Sequence, residues 1–356
     1  MKATWKEIAS RTGVCFRKSE DVAGVDVGSQ FIKSVMLQRG RSCPTLKGFA
    51  IGSVTQRSDH DFQAKVEKDR HIVQVLQDQL SPPPQTVGIS VSGPQVLLKI
   101  LSLPNMTEKD LRAHLALELD RYIPLEVQDV VWDVYCQKGT VFLKDGKQEN
   151  FLVVAKREFV EDRIRQFEDQ GMKVRFVDVD TFALVNMVAY NYGNEGAWLI
   201  VHLGPTGILL VIMEEGHLVH FRQVSYEAEW YGDLLDRVLL SHETSEEGYQ
   251  LGGTSETLLL QQFFKETTDQ VLETLKHFPD MPEKAVESGV LLSGGYSVVE
   301  GLSAKLADSL KMPVSLVDPF KKIVVPAAMQ QDCRFQKAAP LFGVAVGVAL
   351  RGVVSS

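Results

Sequence analysis

The chain has 356 residues, 44% of them apolar and 24% charged, the balance of an ordinary globular protein with room for about two domains. Its formal charge of -8, from 38 basic against 46 acidic residues, argues against a general nucleic-acid binder. Cys15, Cys43, Cys136 and Cys333 are scattered without a Cys-x-x-Cys pair, which excludes a disulfide framework and a zinc ribbon and fits a reducing compartment.

Residues 1–21 form a basic extension without the apolar run of a secretory signal. From Ala23 the period becomes two. Ala23, Val25 and Val27 alternate with Gly24, Asp26 and Gly28, the pattern of a strand. Gly28-Ser29-Gln30 interrupts, Phe31 to Leu37 resumes as a second strand, and Arg39-Gly40 turns into a third from Thr45 to Ile51. A helix is predicted over Ala64 to Leu80, ended by Ser81 and three prolines, with a buried strand from Gln85 to Ser92.

A different pattern follows. PNMTEKDLRAHLALELDRYIP predicts a helix with Thr107 as N-cap, Asp110 in the capping-box position, and Leu111, Leu115, Leu119 and Tyr122 as its apolar stripe. Strands are predicted at Val130 to Tyr135, Thr140 to Leu143 and Phe151 to Ala155, with an Asp145-Gly146 hairpin signal. A helix from Glu158 to Gln170 turns Val160, Ile164 and Phe167 inward and ends at Gly171. Asp180-Thr181 read as a helix cap.

Trp198 to Leu203, Ile208 to Met213 and Leu218 to Gln223 then repeat the opening meander, with Gly204-Pro205-Thr206-Gly207 at the first turn. The offset is 204 - 28 = 176 residues, about half the chain. Such an internal repeat implies a duplicated fold whose two glycine turns face a shared cleft. Helical patterns cover Ala228 to Ser241 and Thr254 to Phe278, and a strand from Gly289 to Leu292 runs into Ser293-Gly294-Gly295-Tyr296. A helix begins near Val299, with Leu302, Leu306 and Leu310 four apart. Pro340 to Arg351 suits a buried helix. Its apolar run from Leu341 to Leu350 falls well short of the roughly 20 residues of a membrane span. The chain therefore reads as cytoplasmic, and any membrane association has to be indirect.

Turns of this kind expose successive backbone N–H groups to an anion, and glycine admits a phosphate without a Cβ clash. The candidate ligand-binding residues are Asp26 as a phosphate-site acid, Gly28, Ser29 and Gln30 in the first turn, and Lys33 as a nearby cation. Gly204 and Thr206 supply the second turn. Gly294 and Gly295, followed by Tyr296, would let an adenine ring lie flat against the backbone. Any one of these alone is ordinary turn chemistry; the ordered set, two of them repeated, is more specific. Gly88 to Ser92 lacks the second glycine of a nucleophile elbow, and no P-loop sequence occurs. His217 and His220, three apart on a strand, point to opposite faces and do not suggest a metal pair.

The order GVDVGSQFIKSV, VDVDTFALV, VHLGPTGILLVI and LLSGGYSVVEGL resembles the actin-like ATPase superfamily. Within it, the 104–124 segment, FLVVAKREFVEDRIRQFEDQGMKVRFVDVDTFAL and LFGVAVGVAL resemble the PilM family of type IV pilus assembly, related to FtsA. The resemblance implies an α/β, two-lobed actin-like fold with a duplicated core and a small subdomain inserted in the first lobe. The expected parts are a first lobe at 22–93 and 172–197, the insert at 94–171, a second lobe at 198–339 and a C-terminal helix at 340–356. It also implies a cleft for ATP, and docking of the cytoplasmic tail of an inner-membrane PilN-like protein.

Three positions depart from the family pattern. His202 stands where an acid that helps arrange Mg²⁺ is usual, VSYEAEW lacks a Gly-Gly, and an expected lysine falls near Gly252. A neutral imidazole cannot supply that charge, so Mg²⁺ is disfavoured and hydrolysis is expected to be slow or absent. A scaffold is the leading expectation. The alternatives are a phosphotransferase, which His202 weakens, and a self-associating FtsA-like filament subunit. The latter would need a C-terminal amphipathic helix, whereas the sequence ends shortly after Arg351.

Overall fold

The computed structural model describes residues 21–54, 62–136, 143–144, 147–226, 254–276 and 288–354. Residues 1–20, the helix expected at Ala228 to Ser241, the Asp145-Gly146 turn and most of the strand expected at Thr140 to Leu143 lie outside these. The chain divides into two units. Among the described residues, the smaller is drawn from 85–87 and 91–177, and the larger from 21–84, 88–90 and 178–354.

The chain opens with β1 (Val22–Val27), β2 (Phe31–Gln38), β3 (Thr45–Ser53), α1 (Phe62–Gln79) and β4 (Thr86–Val91). Strand β1 is buried on both faces from Val22 to Asp26, which explains why its intervening positions are glycine and a carboxylate rather than exposed polar residues. β1 and β2 pair antiparallel with Val27 opposite Ile32, leaving Ser29 and Gln30 as the turn tip.

The smaller unit holds β5 (Val96–Pro104), α2 (Glu108–Glu118), β6 (Val130–Cys136), β7 (Leu143–Lys144), β8 (Lys147–Lys156) and α3 (Arg157–Glu168). Its sheet runs β5-β8-β6, with β7 also pairing β8. Periodicity predicts no strand at β5, because only Leu101 and Leu103 show buried alternation while Val96, Leu97 and Leu98 are all half-buried. Thr107 caps α2 as expected, its hydroxyl oxygen accepting from the Asp110 N–H at 3.2 Å. The Asp110 carboxylate accepts from the Thr107 hydroxyl at 2.6 Å. Leu111, Leu115 and Leu119 enter a core with Leu101, Trp132 and Leu152.

The larger unit resumes in β9 (Lys173–Val179) and continues with α4 (Asp180–Tyr192), β10 (Ala197–Gly204), β11 (Gly207–Glu214) and β12 (His217–Ser225). Val179, not Asp180 or Thr181, is the N-cap of α4, and it makes no side-chain cap bond. Asp180 is instead the acid of the first helical turn, a favourable place in the helix dipole. Then come α5 (Thr254–Lys276), β13 (Val290–Ser293), α6 (Leu302–Leu310), β14 (Val314–Leu316), α7 (Ala327–Gln330), α8 (Cys333–Ala338) and α9 (Gly343–Val353).

Two five-stranded sheets result, ordered β3-β2-β1-β4-β9 and β12-β11-β10-β13-β14; residues 88–90 and 178–179 carry β4 and β9 into the larger unit. The orders are the same when each strand of one copy replaces its counterpart. So is the register: Asp26 opposes Lys33 in the first copy, and His202 opposes Leu209, 176 residues on, in the second. Even the bulge recurs, between Met36 and Leu37 and between Ile212 and Met213. The fold is α/β with a duplicated core.

Helix α9 packs on β1, β2 and α4. Its small residues permit unusually close backbone approach: a Cβ on Gly24 of β1 would lie 2.1 Å from the Ala345 carbonyl oxygen and 2.4 Å from the Ala349 nitrogen. At its far end Arg351 reaches the buried Asp178 carboxylate at 3.0 Å. Among the described residues no helix is long and apolar enough to cross a membrane.

Candidate functional site

Two tight hairpin turns define the site. In the first, the Gly28 N–H donates to the Phe31 carbonyl at 3.0 Å. In the second, Gly204 pairs with Gly207. Ser29-Gln30 and Pro205-Thr206 are thus equivalent two-residue tips, with Ser29 and Thr206 exposed. One step back from the first turn, Asp26 and Lys33 stand directly opposite each other on one face of the hairpin. Both are buried, and the Lys33 ammonium lies 2.6 Å from Asp26 Oδ2. A charge held at this depth is tolerable only because its partner is present.

Lys33 also lies beside the first turn, its Nζ 3.8 Å from where a Cβ on Gly28 would stand. The lysine assigned to a ligand by sequence therefore has Asp26 as its immediate partner.

The equivalent place in the second hairpin holds His202 against Leu209. β10 runs parallel to β13 with His202 opposite Ser293, and His202 Nδ1 lies 3.2 Å from Ser293 Oγ. Burial pushes the His202 imidazole down to about 4, the nearby Lys33 charge pushes the same way, and Asp26 opposes them. The histidine is neutral at physiological pH, and it feels both members of the ion pair contributed by the other hairpin.

Gly294 follows Ser293 with φ +91°. A side chain there would place Cβ 2.4 Å from the Leu203 carbonyl oxygen and 3.0 Å from His202 Cε1, so glycine lets this turn pass under β10. Its N–H donates to the Pro340 carbonyl at 3.2 Å. Around Gly295 the space is open, with nothing within 4 Å of a built Cβ. Tyr296 is a core residue, edge-on to Phe263 at 6.3 Å between ring centroids. Its hydroxyl donates to Gln30 Oε1 at 3.2 Å, tying the first turn to the Gly294-Gly295 segment.

The structure thus brings Asp26, Gly28, Gln30, Lys33, Gly294 and Tyr296 together with His202, which the sequence places at the usual acid position, and adds Ser293, which the sequence did not single out. The missed signal is positional: Ser293 immediately precedes the Gly-Gly pair on the strand beside β10. Gly204 and Thr206 form the second turn itself.

The donor set matches a phosphate better than a hydrated Mg²⁺. Magnesium demands oxygen ligands and keeps much of its water. Here one candidate carboxylate is already neutralised by an ammonium, and the symmetry-related position is a neutral imidazole. Among the described residues no group of three or more His, Cys, Asp or Glu side chains is arranged to hold a metal.

A duplicated five-stranded core with two equivalent glycine turns is the actin-like ATPase fold. The family model of the type IV pilus assembly protein PilM matches residues 24–353, and the chain belongs to that family. Among solved structures, the PilM-PilN type IV pilus biogenesis complex is similar at 21% identity and TM-score 0.75, covering 94% of this chain and 99% of that one. The ethanolamine utilization protein EutJ from Carboxydothermus hydrogenoformans matches at 11% identity and TM-score 0.49, over 94% of this chain and 90% of its own. MreB5 of Spiroplasma citri bound to ADP matches at 10% identity and TM-score 0.49, over 95% and 98%.

Proposed function

We propose that this chain is a cytoplasmic scaffold of a type IV pilus inner-membrane assembly, docking the short cytoplasmic tail of a PilN-like membrane protein. The observation that carries the reading is the nearly end-to-end likeness to the chain of the PilM-PilN complex, 94% of this chain against 99% of that one. Attachment to the inner face of the membrane then comes through the partner. ATP is the ligand proposed for the turns at Gly28 to Gln30 and Gly204 to Thr206, with Lys33 contributing charge and Gly294-Gly295 backing the base. Turnover is slow or absent, since Asp26 is paired with Lys33 and its counterpart is His202. Nucleotide in this reading sets how the two lobes close rather than supplying a leaving group.

The partner part is tested by titrating purified chain with a labelled peptide of the PilN-like tail, alongside pull-down from solubilised membranes. Saturable peptide binding and recovery of a bitopic pilus protein are expected. Failure of both removes the scaffold reading. Robust phosphate transfer to a small acceptor would favour the phosphotransferase in its place.

A further inference from the structure

The two hairpins are copies in backbone, but the first holds an ion pair where the second holds a neutral imidazole opposite leucine, and that difference bears on how a phosphate is held. We propose that His202 makes phosphate binding at this site independent of divalent metal, with Lys33 supplying the local positive charge. The proposal rests on the nucleotide part of the function above and goes beyond it in naming what accompanies the nucleotide.

The 176-residue offset that superposes Gly28 on Gly204 also superposes Asp26 on His202, and both positions keep the same cross-strand register. A site with a carboxylate at each of these places would offer two anionic oxygens to a cation between the hairpins. This chain offers one, and an ammonium lies 2.6 Å from it. At the other place stands an imidazole whose Nδ1 already faces Ser293 Oγ at 3.2 Å. A dication approaching this set would meet the Lys33 charge and gain no second anion, while giving up water it holds tightly.

A phosphate meets the opposite situation. Lys33 Nζ stands beside the first turn, and an ammonium offers a phosphate a charge-assisted hydrogen bond. Holding the ammonium there is the role left to Asp26. The depressed basicity of His202 agrees with this arrangement, since a neutral ring does not repel Lys33 and its nitrogen is a poor ligand for Mg²⁺, which takes oxygen.

The experiment is equilibrium titration of the full chain with ATP, once in excess Mg²⁺ and once in EDTA. Affinities within about twofold of each other are expected. His202→Asp, which restores a carboxylate at the symmetric place, is expected to make binding Mg²⁺-dependent by about tenfold or more. Asp26→Asn/Lys33→Gln, which removes the charge pair without orphaning either member, is expected to weaken binding in EDTA by about tenfold or more. Wild-type binding that collapses in EDTA overturns the inference and leaves the nucleotide reading standing. Saturable binding in neither condition overturns both, while the tail-peptide titration still decides the scaffold by itself. Should His202→Asp fail to fold, the wild-type comparison and the double variant give the answer.

Discussion

Position for position, the two copies of the strand meander agree in backbone and disagree in side chains. Turn length, register, sheet order and even the bulge are shared. Yet Gly24 corresponds to Ile200, Asp26 to His202, Lys33 to Leu209 and Gln30 to Thr206. Backbone pairing constrains every residue of a ladder at once, so a slip of one position would turn each strand inside out. Side chains answer only to their own neighbours. The first copy acquired α9 as a neighbour, and the second packs Leu199, Val201, Leu203 and Ile208 against Phe263, Leu302 and Leu306.

Exchanging residues between the copies breaks this comparison most severely at Gly24. Gly24→Ile imports the second copy's residue into a contact where the obstructing atoms are backbone, Ala345 O and Ala349 N. A backbone obstacle cannot rotate away, so α9 must lift from β1. The expected loss exceeds about 4 kcal/mol, beyond the usual range for a point change, read from urea unfolding. A loss under about 1 kcal/mol would mean that α9 does not rest on β1.

Next comes the buried ion pair. Lys33→Leu copies Leu209 and leaves Asp26 without its cation, an expected loss of about 3–5 kcal/mol. Adding Asp26→Asn should recover much of it, because an uncharged amide tolerates that depth better. A double-mutant cycle checks this; additive losses would show that the two residues do not act together.

Acid sensitivity should lie mainly in the second copy. His202 and His220 are both depressed to about 4, chiefly by burial, with Arg222 adding to the effect at His220. Their first-copy counterparts by register are Asp26 and Gly48. A histidine whose folded value lies below its unfolded one takes up its proton first in the unfolded chain. Stability contributed this way is complete above about 6.5, declines as pH falls, and is gone near 4. Each histidine accounts for at most about 3 kcal/mol, less at His220, which keeps more contact with water. His202→Gln should flatten the decline between these pH values when unfolding is followed by circular dichroism. An unchanged slope would place the sensitivity elsewhere.

What sequence alone reveals here follows the range of each interaction. The duplication was legible because glycine turns and period-two strands are local patterns, repeated at one offset. The opposition of Asp26 and Lys33 was implicit in a two-residue turn at Ser29-Gln30. Reading Lys33 as a cation near the turn did not include the carboxylate that faces it across the hairpin. The contact of His202 with Ser293 depends on a parallel pairing between strands 91 residues apart, and no local pattern encodes that register. Strand β5 was missed for a different reason: its half-buried first half has no clean alternation.

The gentlest exchange is at the turn tips. Gln30 and Thr206 are equivalent second residues of two-residue turns, but Gln30 accepts a hydrogen bond from Tyr296 across 266 residues of chain, while Thr206 is exposed. A threonine side chain is too short to carry an oxygen to where the Gln30 amide oxygen stands. Gln30→Thr therefore leaves the buried Tyr296 hydroxyl to find another acceptor, at a cost of about 1 kcal/mol. Thr206→Gln places a longer side chain in water and should change stability by no more than about 0.5 kcal/mol. The two substitutions are mirror images in sequence, so any difference between them reports the tether and not the turn. Equal losses in thermal unfolding would mean that the Gln30–Tyr296 bond holds nothing in place.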